Sequence, residues 1–140
     1  MPSVQKQFKR HLDSLVKVFD FIGQFVTREN IDDDAAGVVC LAVEELFTNM
    51  IKYEGANSND ISLELRVDGE VIIVQLVDHD VEPFDMTKRP DPDLGASLKD
   101  RKPGGLGIFL TQKLVDDVRY QYLDRTSIIT LKKNFRRKYV

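Results

Sequence analysis

The chain has 140 residues, of which 42% are hydrophobic and 31% are charged, and its formal net charge is −3. Its length predicts one domain over residues 1–140, since a single core typically forms within about 100–150 residues. No apolar run approaches the roughly 18 residues of a membrane-spanning helix, and the net charge gives no electrostatic reason to expect nucleic acid. We therefore expect neither a membrane nor a nucleic acid as a direct partner.

The N-terminus and the cysteine content indicate the compartment. The first residues are basic but lack the apolar region and small-residue cleavage site of a signal peptide. Cys40 is the single cysteine, so no internal disulfide forms, and its apolar neighbours predict a core position. These features favour the cytoplasm. The basic C-terminus, KKNFRRKYV, is interpreted as a solvated tail rather than a nucleic-acid patch, because it carries few charges.

The first part of the chain predicts a strand and two helices. Residues 3–9 have the pattern of a short strand, and apolar residues near helical spacing predict a helix from about Leu12 to Arg28. The acidic residues 32–34 supply an N-cap and favourable charge for the start of a second helix. We expect this helix to end before Gly55.

A hairpin and a long loop follow. Two β-rich runs, Ile61–Val67 and Val71–Val77, are joined at Asp68-Gly69, a sequence typical of tight hairpins. Residues 83–103 contain four of the five prolines and few apolar residues, which predicts a loop. Loops of this length within compact domains are uncommon and usually functional or disordered.

The last part of the chain predicts a helix and a second hairpin. A glycine-rich turn precedes an apolar helical segment from Ile108 to about Asp116. Two strands, roughly Val118–Leu123 and Ser127–Lys132, are expected to meet at Asp124-Arg125. Hairpins alternating with helices predict an α+β fold, with an antiparallel or mixed sheet covered on one face by helices.

The second predicted helix has an apolar stripe and a polar side. The stripe consists of Val39, Val43, Leu46, Phe47 and Met50, and the polar side of Glu45, Thr48, Asn49 and Lys52. Glu45 and Asn49 are one turn apart, so their carboxylate and amide point together. An ordinary solvent-facing surface explains this pattern equally simply. Asparagine is nevertheless unfavourable inside helices, so Asn49 requires an explanation.

Two further segments contain candidate binding residues. Asp78 follows the β-rich run, although carboxylates at strand ends are often only turn formers, and we interpret His79 as a turn residue rather than a catalyst. Gly104-Gly105-Leu106-Gly107 precedes a predicted helix. Glycines allow a ligand to approach the backbone, and helix starts bind anions. Such turns are also common without a ligand.

Together these segments resemble a known family. In chain order, LAVEELFTNMIKY, VDHDVEPFD and GGLGIFLTQKLVD resemble the N box and the two glycine boxes of the GHKL ATPases, the superfamily of gyrase, heat-shock chaperones and sensor histidine kinases. Pro83-Phe84-Asp85 is similar to a Pro-Phe-Asp in the anti-sigma-factor serine kinases of that superfamily. The resemblance covers roughly residues 10–135. It implies a two-layer α/β sandwich of the GHKL (Bergerat) type.

The resemblance implies roles for the polar residues of the second helix. Asn49 would coordinate Mg²⁺ that bridges the phosphates of ATP, and Glu45 would be the general base for the attacking hydroxyl or water. An amide oxygen suits a hard cation, and a carboxylate suits proton transfer. Lys52 lies one turn beyond Asn49, where it either contacts a phosphate or is simply solvated.

The resemblance also implies how the nucleotide is held. Asp78 would accept a hydrogen bond from the adenine amino group. The loop formed by Gly104, Gly105, Leu106 and Gly107 would pack over the phosphates. Residues 83–103 would be the ATP lid. One departure concerns the first glycine box, which in the family is Asp-x-Gly. Here Asp80 replaces the glycine, and one residue is inserted before Pro83. A side chain at that position would crowd the adenine pocket and add negative charge.

The implied function is an ATP-binding serine/threonine kinase that regulates a partner by Mg-ATP-dependent phosphorylation and partner switching. Its expected partners are ATP or ADP, an anti-anti-sigma-like protein and a sigma factor, and the resemblance suggests a homodimer. The alternative is a non-catalytic binding module with weak or lost nucleotide binding, which the missing glycine favours. An ATPase that drives a conformational cycle is disfavoured, because 140 residues leave no room for a transducer domain.

Overall fold

The computed structural model describes residues 3–53, 58–83 and 111–138. Its elements are β1 (Val4–Phe8), a 3-10 turn (Leu12–Ser14), α1 (Leu15–Glu29), α2 (Asp33–Tyr53), β2 (Ile61–Asp68), β3 (Val71–His79), β4 (Asp117–Leu123) and β5 (Thr126–Asn134). The element order of the described residues agrees with the prediction. Gly104 to Gly107, and the predicted lid beyond Pro83, lie outside the described residues.

The five strands form one antiparallel sheet in the order β1-β2-β3-β5-β4. The predicted α+β class is confirmed, and the sheet is antiparallel rather than mixed. Asp68 pairs with Val71, so the first hairpin turns at Gly69-Glu70, one residue later than predicted. Gly69 has a φ of 62°, which glycine adopts readily. The second hairpin turns at Asp124-Arg125 as predicted.

One face of the sheet packs against both helices. Its buried residues include Phe8, Ile61, Leu63, Leu65, Ile72, Val74, Leu76, Ile129 and Leu131. The helices contribute Val18, Ile22 and Phe25 from α1 and Val39, Val43, Leu46, Phe47 and Met50 from α2. The predicted apolar stripe of α2 is therefore confirmed as core. Full burial of one large apolar side chain stabilises a fold by about 1.5–3 kcal/mol, so this layer supplies the main driving force.

The junction between the two helices is fixed by local capping. Asn30 ends α1 in the left-handed conformation, with a φ of 55°, and the Ile31 N–H donates to the Val26 carbonyl over 3.1 Å. Asp32 precedes α2, and its Oδ2 accepts a hydrogen bond from the Ala35 N–H over 3.1 Å. The predicted acidic N-cap is therefore confirmed.

Some predicted details are wrong. The described end of the last helix covers residues 111–114, so this helix ends before Asp116. Cys40 packs at the edge of the core and is only half-buried, although burial still raises the pKa of its thiol, with a smaller contribution from Glu44. His79 is the last residue of β3 rather than a turn residue.

Within the described residues, no helix combines the length and apolar character that a membrane span requires.

Candidate functional site

Three elements meet at the end of the sheet where β3 finishes. Asp78 is the penultimate residue of β3 and pairs with Ile61 on one side and Ser127 on the other. It is buried on the core face, in line with the apolar residues of β3. The C-terminal half of α2 and the segment after β1 reach the same place. Arg10, which follows β1, contacts both Asp78 and the Met50 carbonyl of α2.

Arg10 joins these elements through its guanidinium group. Nη2 donates to Oδ1 of Asp78, Nη1 donates to the Met50 carbonyl over 3.0 Å, and Nε donates to the Asn59 carbonyl over 3.2 Å. The side chains of Arg10 and Asp78 are each 3% exposed. A buried carboxylate is costly unless it is paired, and Arg10 provides the pair. One guanidinium therefore spans the gap between the end of β3 and the residue that follows Asn49.

Glu45 and Asn49 are in direct contact on α2. The Asn49 Nδ2 donates to the Glu45 carbonyl over 2.7 Å and to Glu45 Oε1 over 3.2 Å. Since the amide nitrogen is turned towards Glu45, the amide oxygen Oδ1 is the atom suited to a cation. Asn49 is only 3% exposed, so the alternative explanation, an ordinary solvent-facing surface, does not hold for this residue. A helical wheel treats every polar residue as outward-facing and cannot detect such burial.

The remaining polar residues of α2 differ in their surroundings. Thr48 donates its hydroxyl to the Glu44 and Glu45 carbonyls, over 2.8 and 3.0 Å, so it is engaged with its own helix. Glu44 and Lys52 are exposed. The structure therefore brings together Glu45 and Asn49, and through Arg10 it ties Asp78 to the same helix.

Asp80, which stands where the family has glycine, adopts a left-handed backbone with a φ of 58°. Aspartate is one of the few residues other than glycine that tolerate this conformation. Its side chain is 69% exposed and accepts a hydrogen bond from Arg125 Nε over 2.9 Å. Arg125 Nη1 also donates to Glu82 over 3.1 Å. The carboxylate of Asp80 is therefore directed to the β4–β5 turn.

The segment after Asp80 is held by the same turn. The Val81 N–H donates to the Arg125 carbonyl over 3.0 Å, and the Tyr122 hydroxyl donates to the Val81 carbonyl over 2.7 Å. Val81 is buried. Hydrogen bonds to Asp80 first, and then to Glu82, raise the pKa of Arg125 above its ordinary value. The chain is thus fixed up to the point where the predicted lid begins.

The described residues offer limited means of holding a metal ion. Among them, no group of three or more histidine, cysteine, aspartate or glutamate side chains is placed to bind one. Mg²⁺ is commonly held by one or two protein oxygens together with water and substrate phosphates, so a large protein cluster is not required. The Asn49 amide oxygen beside the Glu45 carboxylate fits such a site.

Sequence reasoning missed Arg10 and Arg125. Arg10 lies in a polar connection between a strand and a helix, and no local pattern distinguishes it from a solvated arginine. Asp80 carried a usable signal, because an aspartate at a position where the family has glycine indicates a left-handed backbone.

Comparison with known proteins places this chain in a family. Residues 8–133 match the family described as histidine kinase-like ATPase domain. Serine-protein kinase RsbW of Listeria monocytogenes is 30% identical over 98 residues, covering 66% of this chain and 62% of that protein. The same protein of Listeria innocua is 29% identical with equal coverage. The chain thus spans less than two thirds of the length of these relatives.

A solved structure agrees with the observed architecture. The structure of the RsbU and RsbW domains of Rv1364c from Mycobacterium tuberculosis matches with a TM-score of 0.70 at 13% identity. The match covers 100% of this chain and 35% of the other chain, and at this identity it shows a common fold. Since the family match extends over most of the sequence, the chain belongs to the histidine kinase-like ATPase domain family.

Proposed function

We propose that this protein is an ATP-binding serine/threonine protein kinase of the anti-sigma-factor type. The observation that carries the proposal is the direct contact of Glu45 with Asn49 over 3.2 Å, on a helix tied to the buried Asp78 by Arg10. A carboxylate, an amide oxygen and a buried hydrogen-bond acceptor are the groups needed for proton transfer, cation binding and base recognition. Family membership and the serine-protein kinase relatives support the same function.

Phosphoryl transfer depends mainly on positioning and on stabilisation of charge. In this proposal Asn49 Oδ1 would hold Mg²⁺, which supplies positive charge to the phosphates when bound. Glu45 would accept the proton of the attacking serine or threonine hydroxyl, and Asp78 would accept the hydrogen bond of the adenine amino group. Lys52 and the loop from Gly104 to Gly107 are proposed to contact the phosphates, and residues 83–103 to close over them.

The proposed partners follow from the family resemblance of the sequence, and the relatives support only the protein substrate. RsbW proteins are serine-protein kinases, which supports a protein substrate for this chain too. We include in the proposal an anti-anti-sigma-like substrate, a sigma factor as the second partner in a switching cycle, a homodimer and a cytoplasmic location. ADP would be the product left on the site.

A second candidate function is a non-catalytic binding module. The specific observation in its favour is that Asp78 already accepts a hydrogen bond from Arg10, while Asp80 replaces the family glycine. In that case the fold would present protein-binding surfaces, and nucleotide would bind weakly or not at all.

Calorimetric titration with ADP and ATP, with and without Mg²⁺, separates the two functions. We expect Mg²⁺ to tighten ATP binding to the unmodified protein, and Asn49→Ala to abolish that tightening, because the amide oxygen is lost. Thr48→Ala is the matched control, since its hydroxyl bonds only to the helix backbone among the contacts described. Circular dichroism checks that Asn49→Ala still folds, because the residue is buried.

The opposite results are equally informative. Equal magnesium dependence in Asn49→Ala and the parent would refute the role of Asn49 while leaving nucleotide binding intact. Absence of binding of both nucleotides to the parent would remove the kinase proposal and favour the binding module.

A further inference from the structure

We infer that Arg10 is a positioning residue that keeps Asp78 ionised and oriented, and so makes the site selective for a 6-amino purine over a 6-oxo purine. The inference rests on the proposed role of Asp78 in holding the base. It concerns a residue in the connection between β1 and α1, outside the three segments that carry the family resemblance.

The geometry supports positioning because the guanidinium is fixed from three sides. Besides Asp78, it donates to the carbonyl of Met50 near the end of α2 and to that of Asn59 just before β2. The two backbone carbonyls hold the planar group in place independently of the carboxylate. Asp78 is itself fixed in the middle of the sheet, between β2 and β5. A lysine could carry the charge but could not make all three contacts.

The selectivity follows from the protonation state of a buried carboxylate. An ionised carboxylate only accepts hydrogen bonds, so it binds the 6-amino group of adenine and repels the 6-oxo group of hypoxanthine or guanine. A buried carboxylate without a positive partner tends to take up a proton instead of staying charged. Its O–H then donates, and its carbonyl oxygen still accepts. A protonated Asp78 would therefore accommodate both kinds of base.

A purely structural ion pair would behave differently. Removing Arg10 would then lower the stability of the fold and weaken all nucleotides by the same factor. If Arg10 controls the state of Asp78, its removal changes the ratio of affinities for two nucleotides that differ in the group at position 6 and in the proton on N1. That ratio is insensitive to a general loss of folded protein, so it distinguishes the two roles.

The experiment compares ADP with inosine diphosphate by calorimetry on folded protein. We expect the parent to prefer ADP by roughly 10- to 100-fold, the range of a hydrogen bond to a charged group. Arg10→Met should reduce this preference to less than about threefold, because Asp78 becomes neutral. Arg28→Met is the matched control, since Arg28 also pairs with a buried carboxylate, that of Glu29, but at the C-terminal end of α1, and it should keep the parental ratio.

A second variant keeps the test decisive if Arg10→Met does not fold. Arg10→Lys retains a positive charge but loses the fork, so it should fold, bind ADP more weakly and show a reduced preference. The inference would be overturned if folded Arg10→Met kept the parental ratio of ADP to inosine diphosphate affinity, or if Arg10→Lys kept both that ratio and the parental ADP affinity. The proposed function would not be affected by either result. Equal binding of both nucleotides by the parent would also overturn the inference, because Asp78 would then not discriminate between the two bases. Absence of binding by the parent would instead remove the proposed function itself.

Discussion

The two ends of the sheet use aspartate in opposite ways. At the end where α2 begins, Asp32 is half-buried and accepts hydrogen bonds from the backbone N–H groups of Ala35 and Arg136, over 3.1 and 2.7 Å. At the end where β3 finishes, Asp78 is buried and paired with the side chain of Arg10. The first arrangement satisfies orphan backbone donors, and the second buries a charge.

The Asp32 end is closed mainly by backbone hydrogen bonds. The Asp32 N–H donates to the Arg136 carbonyl over 2.9 Å, and the Lys138 N–H donates to the Asn30 carbonyl over 2.7 Å. Arg137 adds a hydrogen bond from Nη1 to the Glu29 carbonyl over 2.8 Å. The C-terminal segment thus fastens the junction of the two helices, a role that requires no ligand, and its interpretation as a solvated tail is wrong.

The Asp78 end depends on charged side chains that are buried. Replacing a buried ion pair with apolar residues is often neutral or stabilising, so the pair of Arg10 and Asp78 is weak evidence of stability. Asn49, another buried polar residue, lies on the helix that Arg10 contacts. The comparison teaches that polar groups at one end complete the fold, whereas those at the other end are best explained by function.

The largest effect is expected from Glu45, which we propose as the general base, because such a base contributes typically about 10²- to 10⁴-fold to rate. Glu45→Gln keeps the shape and loses the charge, so phosphoryl transfer to a serine-bearing protein, or slow ATP hydrolysis, should fall by that factor. ATP affinity should stay nearly unchanged, which calorimetry measures.

Glu44→Gln is the internal control, since Glu44 is exposed and rotated by about 100° around the helix. Equal activities of the two variants would remove the catalytic role of Glu45. They would also weaken the functional explanation of the Asp78 end.

The next largest effect concerns stability at the two ends. Asp78→Ala leaves Arg10 buried without its carboxylate, so we expect a loss of about 3–5 kcal/mol in the free energy of unfolding. Asp32→Ala removes a helix cap, for which about 0.5–2 kcal/mol is expected. Urea denaturation of both variants measures the difference.

The double variant Arg10→Met with Asp78→Leu sharpens this comparison. It should recover most of the stability lost in Asp78→Ala, because neither charge of the pair stays buried, while nucleotide binding remains impaired. A double variant as unstable as Asp78→Ala would show that the ion pair is itself a structural requirement.

The sequence was sufficient for most of the fold because its signals were local. Alternating and helical apolar patterns identified the strands and the core stripe of α2, including Val43 and Phe47. The first turn was placed one residue early, since Asp68-Gly69 resembles a favoured turn, whereas strand pairing puts Gly69 first in the turn. Local propensity could not choose between these registers, because the choice depends on contacts along the whole hairpin.

The site was only partly accessible from the sequence. Resemblance to a family supplied Glu45, Asn49 and Asp78, but it gave no indication that Asn49 is buried. Arg10 was not predictable, because its contact with Asp78 joins residues 68 positions apart and depends on the packing of separate elements. Such contacts leave no periodic trace in a single sequence.

The smallest expected effect is a pH dependence at the Asp32 end. The pKa of Asp32 lies below its ordinary value of 3.8, foremost because its carboxylate accepts the Arg136 N–H; the Ala35 N–H lowers it further, and burial opposes the shift. A carboxylate with a lowered folded-state pKa stabilises the fold above its unfolded-state pKa, and this contribution disappears as the pH falls through the folded-state pKa. The stability that Asp32 contributes is therefore complete near neutral pH, begins to fall near pH 3.8 and is lost at lower pH.

Asp32→Asn tests this, because the amide oxygen can still accept a hydrogen bond while the charge is lost. We expect the variant to be less stable than the parent by under about 1 kcal/mol at pH 7, since asparagine is also a good N-cap. The difference should shrink as the pH falls from 4 towards 2.5, as measured by urea unfolding at a series of pH values. Asp34→Asn is the control for removing a charge from the first turn of α2. If the parent and Asp32→Asn curves stay parallel down to pH 2.5, the carboxylate at this end contributes no charge-dependent stability, and the two ends differ less than the structure indicates.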